Sequence, residues 1–127
     1  MSWLGGRPRA SDLLATRPSI ASLVGSLRSD AQLECPGRTA ELITVRLHQI
    51  VDGSGSLQSF GELSAAERAV VAVAEQFVLD VHGIDDSLIG ELGVHFSAAE
   101  QVAIMFHLAL ADGFVKFNRV FAVEEPS

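Results

Sequence analysis

A single cysteine, Cys35, in 127 residues excludes an internal disulfide, a Cys-x-x-Cys redox pair and any zinc site built on cysteines. Positive charge is scarce too. Nine Lys+Arg stand against 16 Asp+Glu, a net charge of −7, which argues against a nucleic-acid partner, because that affinity comes mainly from neutralising phosphates. The few cations are also unevenly placed: residues 1–50 carry six basic and four acidic side chains, residues 51–127 three and twelve. Long apolar runs are missing. The most apolar, Val102 to Ala111, spans ten residues, contains His107 and stops at Asp112, about half of the ~20 residues a bilayer-spanning helix needs. No apolar segment follows Arg7-Pro8-Arg9, so no signal peptide is expected. These absences predict a soluble, cytoplasmic protein without membrane or nucleic-acid partners.

What is present is helical. The chain is 48% hydrophobic and 20% charged, enough to bury one core, and its apolar residues recur at spacings of three and four rather than alternating. Ser11 to Thr16 reads as a short helical turn. Pro18 suits the first position of a helix through Ile20, Leu23, Val24 and Leu27. Pro36 is expected to open the next, with Leu42, Val45, Leu47 and Ile50 inward and an end at Gly53, where Gly-Ser-Gly-Ser offers nothing to pack. Ser64-Ala65-Ala66-Glu67 and Ser97-Ala98-Ala99-Glu100 both fit the capping box, in which Ser and Glu satisfy each other's backbone N–H groups. The first starts a helix over Ala69 to Leu79, the second a long one from Ala98 to Phe121. Asp85 to Leu92 forms a short helix between them. On the long helix Ala103, Phe106, Leu110, Phe114, Phe117 and Phe121 are expected to form one stripe that is core, or core plus a subunit interface, or that lines a ligand pocket. The expectation is an all-α fold, a single domain over residues 1–127 of five to six helices, with residues 1–10 flexible.

Particular residues carry a resemblance. They are Leu63 to Glu75, then Val81-His82-Gly83-Ile84, then His95 to Val102, then Asp112 to Arg119, with Glu41 to Ile50 upstream. In this order they resemble the carboxymuconolactone decarboxylase family, which includes the alkylhydroperoxidase D-like proteins, over more than half of the chain. The resemblance implies that family's helical fold and assembly as a trimer or hexamer. It also implies that Glu41 corresponds to the family's proton-relay glutamate. The redox members place a Cys-x-x-Cys and a histidine downstream of it. Here those positions fall on Gly53, Ser56 and Phe60 or, one residue on, on Ser54, Leu57 and Gly61. Neither register supplies a thiol or an imidazole, so the dithiol chemistry of the family is not expected.

The remaining candidate catalytic residues are Glu41 and His48. Asp52 follows four residues later, so all three fall near one face of a helix. They read either as an acid–base cluster, with His48 titrating near neutrality, or as a polar helix face with an ordinary His–Asp contact. Cys35 reads either as a thiol activated at a helix start or as a small half-buried apolar residue. His48, His82, His95 and His107 lack metal-ligand spacing, and no cofactor or metal is expected. His107 is expected as a hydrogen-bonded core or interface residue and His95 as a loop contact. Arg46 is expected to pair with Glu75, and Arg68 with Glu100. Three functions follow: a non-redox, non-enzymatic helical homo-oligomer; a cysteine-independent decarboxylase or lactone-acid enzyme using Glu41 and His48; or a weak peroxidase acting through Cys35. A small-molecule ligand is compatible with the first two.

Overall fold

The computed structural model describes residues 16–121, the side chains of Gln32 and Phe121 excepted. The expected turn at Ser11 and the expected flexible segment 1–10 lie outside the described residues. Among the described residues every regular element is helical: α1 (Pro18–Glu34), α2 (Thr39–Val51), α3 (Ala65–Leu79), α4 (Asp86–His95) and α5 (Ala98–Phe121), with single 3₁₀ turns at Gln58–Phe60 and Val81–Gly83. The fold is all-α.

Local chemistry sets most boundaries. Pro18 opens α1, where the missing N–H costs nothing. Both capping boxes form. Ser64 Oγ accepts from the Glu67 N–H at 3.1 Å while Glu67 accepts from the Ser64 N–H at 2.9 Å. At Ser97 and Glu100 the matching distances are 3.2 and 2.9 Å. Asp85 caps α4 by accepting from the Leu88 N–H at 3.0 Å. One start differs from expectation: α2 opens at Thr39, not Pro36. The Pro36 carbonyl accepts from both the Thr39 N–H and the Thr39 hydroxyl, and Gly37 has φ +55°, so the chain makes a turn before it coils. At the other end α2 stops at Val51, with Gly53 at φ +73°.

Helix α2 is the centre of the bundle. It packs against α3 and α5, while α1 runs along α5 and α4 folds back on α3. Leu42, Ile43 and Leu47 from α2, Val70, Val73 and Ala74 from α3, Leu92 from α4 and Ile104 and Leu108 from α5 are fully or almost fully buried. Arg46 pairs with Glu75 across α2 and α3 at 3.2 Å, as expected. Arg68 does not reach Glu100; it donates to the Leu63 carbonyl at 2.7 Å, and Glu100 is held by its cap.

The inward face of α5 is a correction. Ala103, Ile104, His107, Leu108, Ala111, Val115 and Asn118 are buried, whereas Phe106 is 52% exposed and Leu110, Phe114 and Phe117 are half-buried. Apolar residues occupy nearly every side of this helix, so spacing alone does not select the core face. Small and β-branched residues win it because they let α2 approach closely. By length and composition α5 is also apolar enough to cross a membrane, with 28% of that span buried. The buried His107 and Asn118 lie on its packed side.

Candidate functional site

The first two turns of α2 and the segment joining α2 to α3 enclose a cleft of about 610 Å³. Its helical wall is Ala40, Glu41, Thr44 and Val45; Gly37 lies at one end, and Ser59 and Phe60 face across. The 3₁₀ turn Gln58–Phe60 sets the second wall, closed by a Gly61 at φ +68°. Arg38 fixes the Phe60 side. Its guanidinium lies 5.3 Å from the Phe60 ring centroid and grips Glu67 with both Nε and Nη2, the latter at 3.1 Å. The Arg38 hydrogen bond, aided by the Ser64 N–H, holds the Glu67 carboxyl down at about 2. One Glu67 side chain thus caps α3 and ties its start to the start of α2.

Behind the cleft wall lies a buried polar knot. His107 Nε2 is 3.1 Å from the Ala40 carbonyl and 3.3 Å from Thr44 Oγ1, and Thr44 itself donates to the Ala40 carbonyl at 3.0 Å. A carbonyl only accepts, so Nε2 carries the proton. With that nitrogen protonated, His107 has no lone pair to offer Thr44 and cannot activate it as a nucleophile. Burial pushes the His107 pKa down, against the opposing pull of the Ala40 bond, and Arg28 adds to the depression. The expected hydrogen-bonded core histidine is what the fold contains.

The structure separates the two predicted catalytic residues. Glu41 is exposed on the cleft wall. His48 lies two helical turns further on, about 10 Å along the axis, and does not line the cleft. Its Nδ1 is 3.0 Å from Asp52 Oδ2, while Asp52 Oδ1 accepts from the Ser54 N–H at 3.0 Å and from the Ser54 hydroxyl. The Ser54 hydroxyl bond leads in lowering the Asp52 pKa, and His48 adds to it. His48 and Asp52 therefore finish α2; the acid–base cluster of Glu41, His48 and Asp52 does not converge.

Gly53 and Ser56, the positions matching the family's cysteines, are exposed in the loop after α2, and Phe60 forms the cleft wall. Cys35 sits before the helix start, not within it. It is buried, with Sγ donating to the Ala103 carbonyl at 3.6 Å, and burial pushes its pKa up against the opposing Thr39 hydrogen bond. Burial shields such a thiol and disfavours the thiolate. His82 pairs with Asp80 at 3.3 Å on the surface. His95 is the last residue of α4, not a loop residue, and is 3.1 Å from Glu91. No three His, Cys, Asp or Glu side chains converge as metal ligands among the described residues.

Sequence reasoning missed Ser59 and Thr44 as cleft residues; nothing in their spacing marks them. It also missed a legible feature on the outer face of α5. Ala99, Val102, Phe106, Ala109, Gly113, Lys116 and Val120 recur at alternating intervals of three and four, and all are exposed. Compared with protein-family models, curated proteins and solved structures, the chain finds no match.

Proposed function

We propose that this chain is a non-redox protein of carboxymuconolactone decarboxylase-like descent that works as a cytoplasmic helical homo-oligomer, without thiol peroxidase activity. The family part of this reading rests on the residues from Glu41 to Arg119 described above. The observation that carries the assembly is the exposed apolar surface on and beside α5. Val102 is 63% exposed, Phe106 52% and Val120 78%, with Leu23 and Leu27 of α1 and Ile89 of α4 also exposed. Two apolar grooves flank the Val102–Phe106 ridge, one against α1 and one against α3 and α4. Monomers rarely leave such a continuous patch in water. The absence of redox function is supported by the lone Cys35, which is buried and whose thiolate burial disfavours. Light scattering on the full chain tests this: a discrete multimer of unchanged mass with and without reductant is expected, and a monomer at high protein concentration refutes it. Turnover of a hydroperoxide with a dithiol donor would refute the non-redox part.

The cleft favours a second reading, a small-molecule site or cysteine-independent enzyme in which Glu41 is the one acidic group. His48 has no part in it, because it faces Asp52 outside the cleft. Glu41→Gln should abolish ligand binding or turnover of a lactone acid without unfolding the chain, and unchanged behaviour disposes of this reading.

A further inference from the structure

Resting on the proposed homo-oligomer, we infer that a second copy of this chain packs antiparallel along the outer face of α5, with Phe106 set over Ala109 and Val102 over Gly113 of that copy.

The spacing of three and four on the outer face is that of a seam between two nearly aligned helices. In the parallel arrangement each seam residue meets its own counterpart. Phe106 would face Phe106, gaps would open at Ala109 and Gly113, and two Lys116 ammonium groups would be pressed together. The antiparallel arrangement avoids all three faults. Phe106 fills the space above Ala109, and Val102 fills that above Gly113, where an added Cβ would meet nothing within 4 Å. Lys116 comes over Ala99. A shift by one heptad places Ala109 against Gly113 and Phe106 against Lys116, restoring both the gap and a poor contact.

Charge selects the same register. Ala99 lines the groove whose rim carries Asp30 and Glu34 of α1, both exposed. The single cation of the seam, Lys116, has a half-exposed side chain held only by Asp112 one turn back. The antiparallel register carries it to that acidic rim, and two-fold symmetry does the same at the other end. From Ala99 to Val120 the seam is about 31 Å long, and the groove formed with α1 runs beside its first half.

Disulfide trapping of the full chain in a Cys35→Ser background tests the register. Val102→Cys chains mixed with Gly113→Cys chains should oxidise to a covalent heterodimer, and neither should cross-link alone, because each residue lies about 16 Å along the axis from its counterpart. Phe106→Ala should raise the dissociation constant at least tenfold with an unchanged helical spectrum. A multimer in which Gly113→Cys cross-links to itself, or an odd-numbered ring, overturns the antiparallel pairing while leaving assembly standing. A monomer overturns both.

Discussion

Ile104 and Phe106 lie two residues apart on α5, and the fold buries the first and exposes the second, which belongs to the expected core stripe, so truncating each in turn probes the fold directly. Ile104 is 1% exposed within the core formed with Ile43, Leu47 and Leu108. Cutting it to Ala removes three carbons and leaves a cavity between α5 and α2, which costs about 3 kcal/mol. For a domain of this size that lowers Tm by roughly 11 °C. Phe106 keeps half of its surface in water, so its loss from an isolated chain costs about 1 kcal/mol. Urea denaturation followed by circular dichroism should be run at low protein concentration, where association does not contribute. There Ile104→Ala should lose about 3 kcal/mol and Phe106→Ala about 1 kcal/mol. At high concentration the Phe106→Ala deficit should grow, because it then includes the lost subunit contact. Equal deficits at low concentration would refute the inward face assigned to α5.

The acid behaviour is set by Glu67 and His107. Glu67 titrates near 2 in the folded chain and near 4.5 in the unfolded one. Its contribution is therefore complete above pH 4.5 and lost as pH falls towards 2; Glu67→Gln, which keeps the cap acceptor, should flatten that part of the stability curve. His107 has a folded pKa below 6.5, so the unfolded chain takes up its proton first and stability declines as pH drops below about 6.5. In an NMR titration its ring should protonate below the ordinary histidine range, and protonation at or above that range would contradict the buried knot. Ser64→Ala should cost about 1 kcal/mol through loss of the cap. Gly37→Ala should cost about 1 kcal/mol through the positive φ alone, since a Cβ there meets nothing. Both are read from denaturant midpoints.

The legible parts of this fold are those where one residue type has one local use. Pro18, the two Ser-Ala-Ala-Glu boxes, Asp85 and Gly53 set helix ends through their own backbone chemistry, and α1, α3 and α5 begin where those residues predict. Pro36 misled because its ring suits a helix start equally well as the turn that Gly37 and Thr39 complete. The α5 face was illegible for a different reason: with apolar residues all round, only the neighbouring helices decide which side is covered. The candidate site was legible at one residue. Glu41 lines the cleft, but sequence proximity to His48 says nothing about convergence, because side chains seven apart share a face yet stand two turns away from each other. Ser59 and Phe60 complete the cleft from across the chain, a relation that no local spacing encodes.

Helix α5 is constrained on two opposite sides by different physics. Inward, His107 must stay within reach of the Ala40 carbonyl, and Ile104 and Leu108 must fit against α2, so small shifts in volume are costly there. Outward, Gly113 satisfies no need of the isolated bundle: it is exposed, and glycine in mid-helix weakens it by about 1 kcal/mol relative to alanine. A sequence answering only to the stability of one chain would place Ala, Glu, Lys or Arg at that position. Keeping it glycine, beside an exposed Phe106 and Val102, makes sense when something of matching shape lies against it. The antiparallel second copy proposed above would supply that shape without requiring any other molecule.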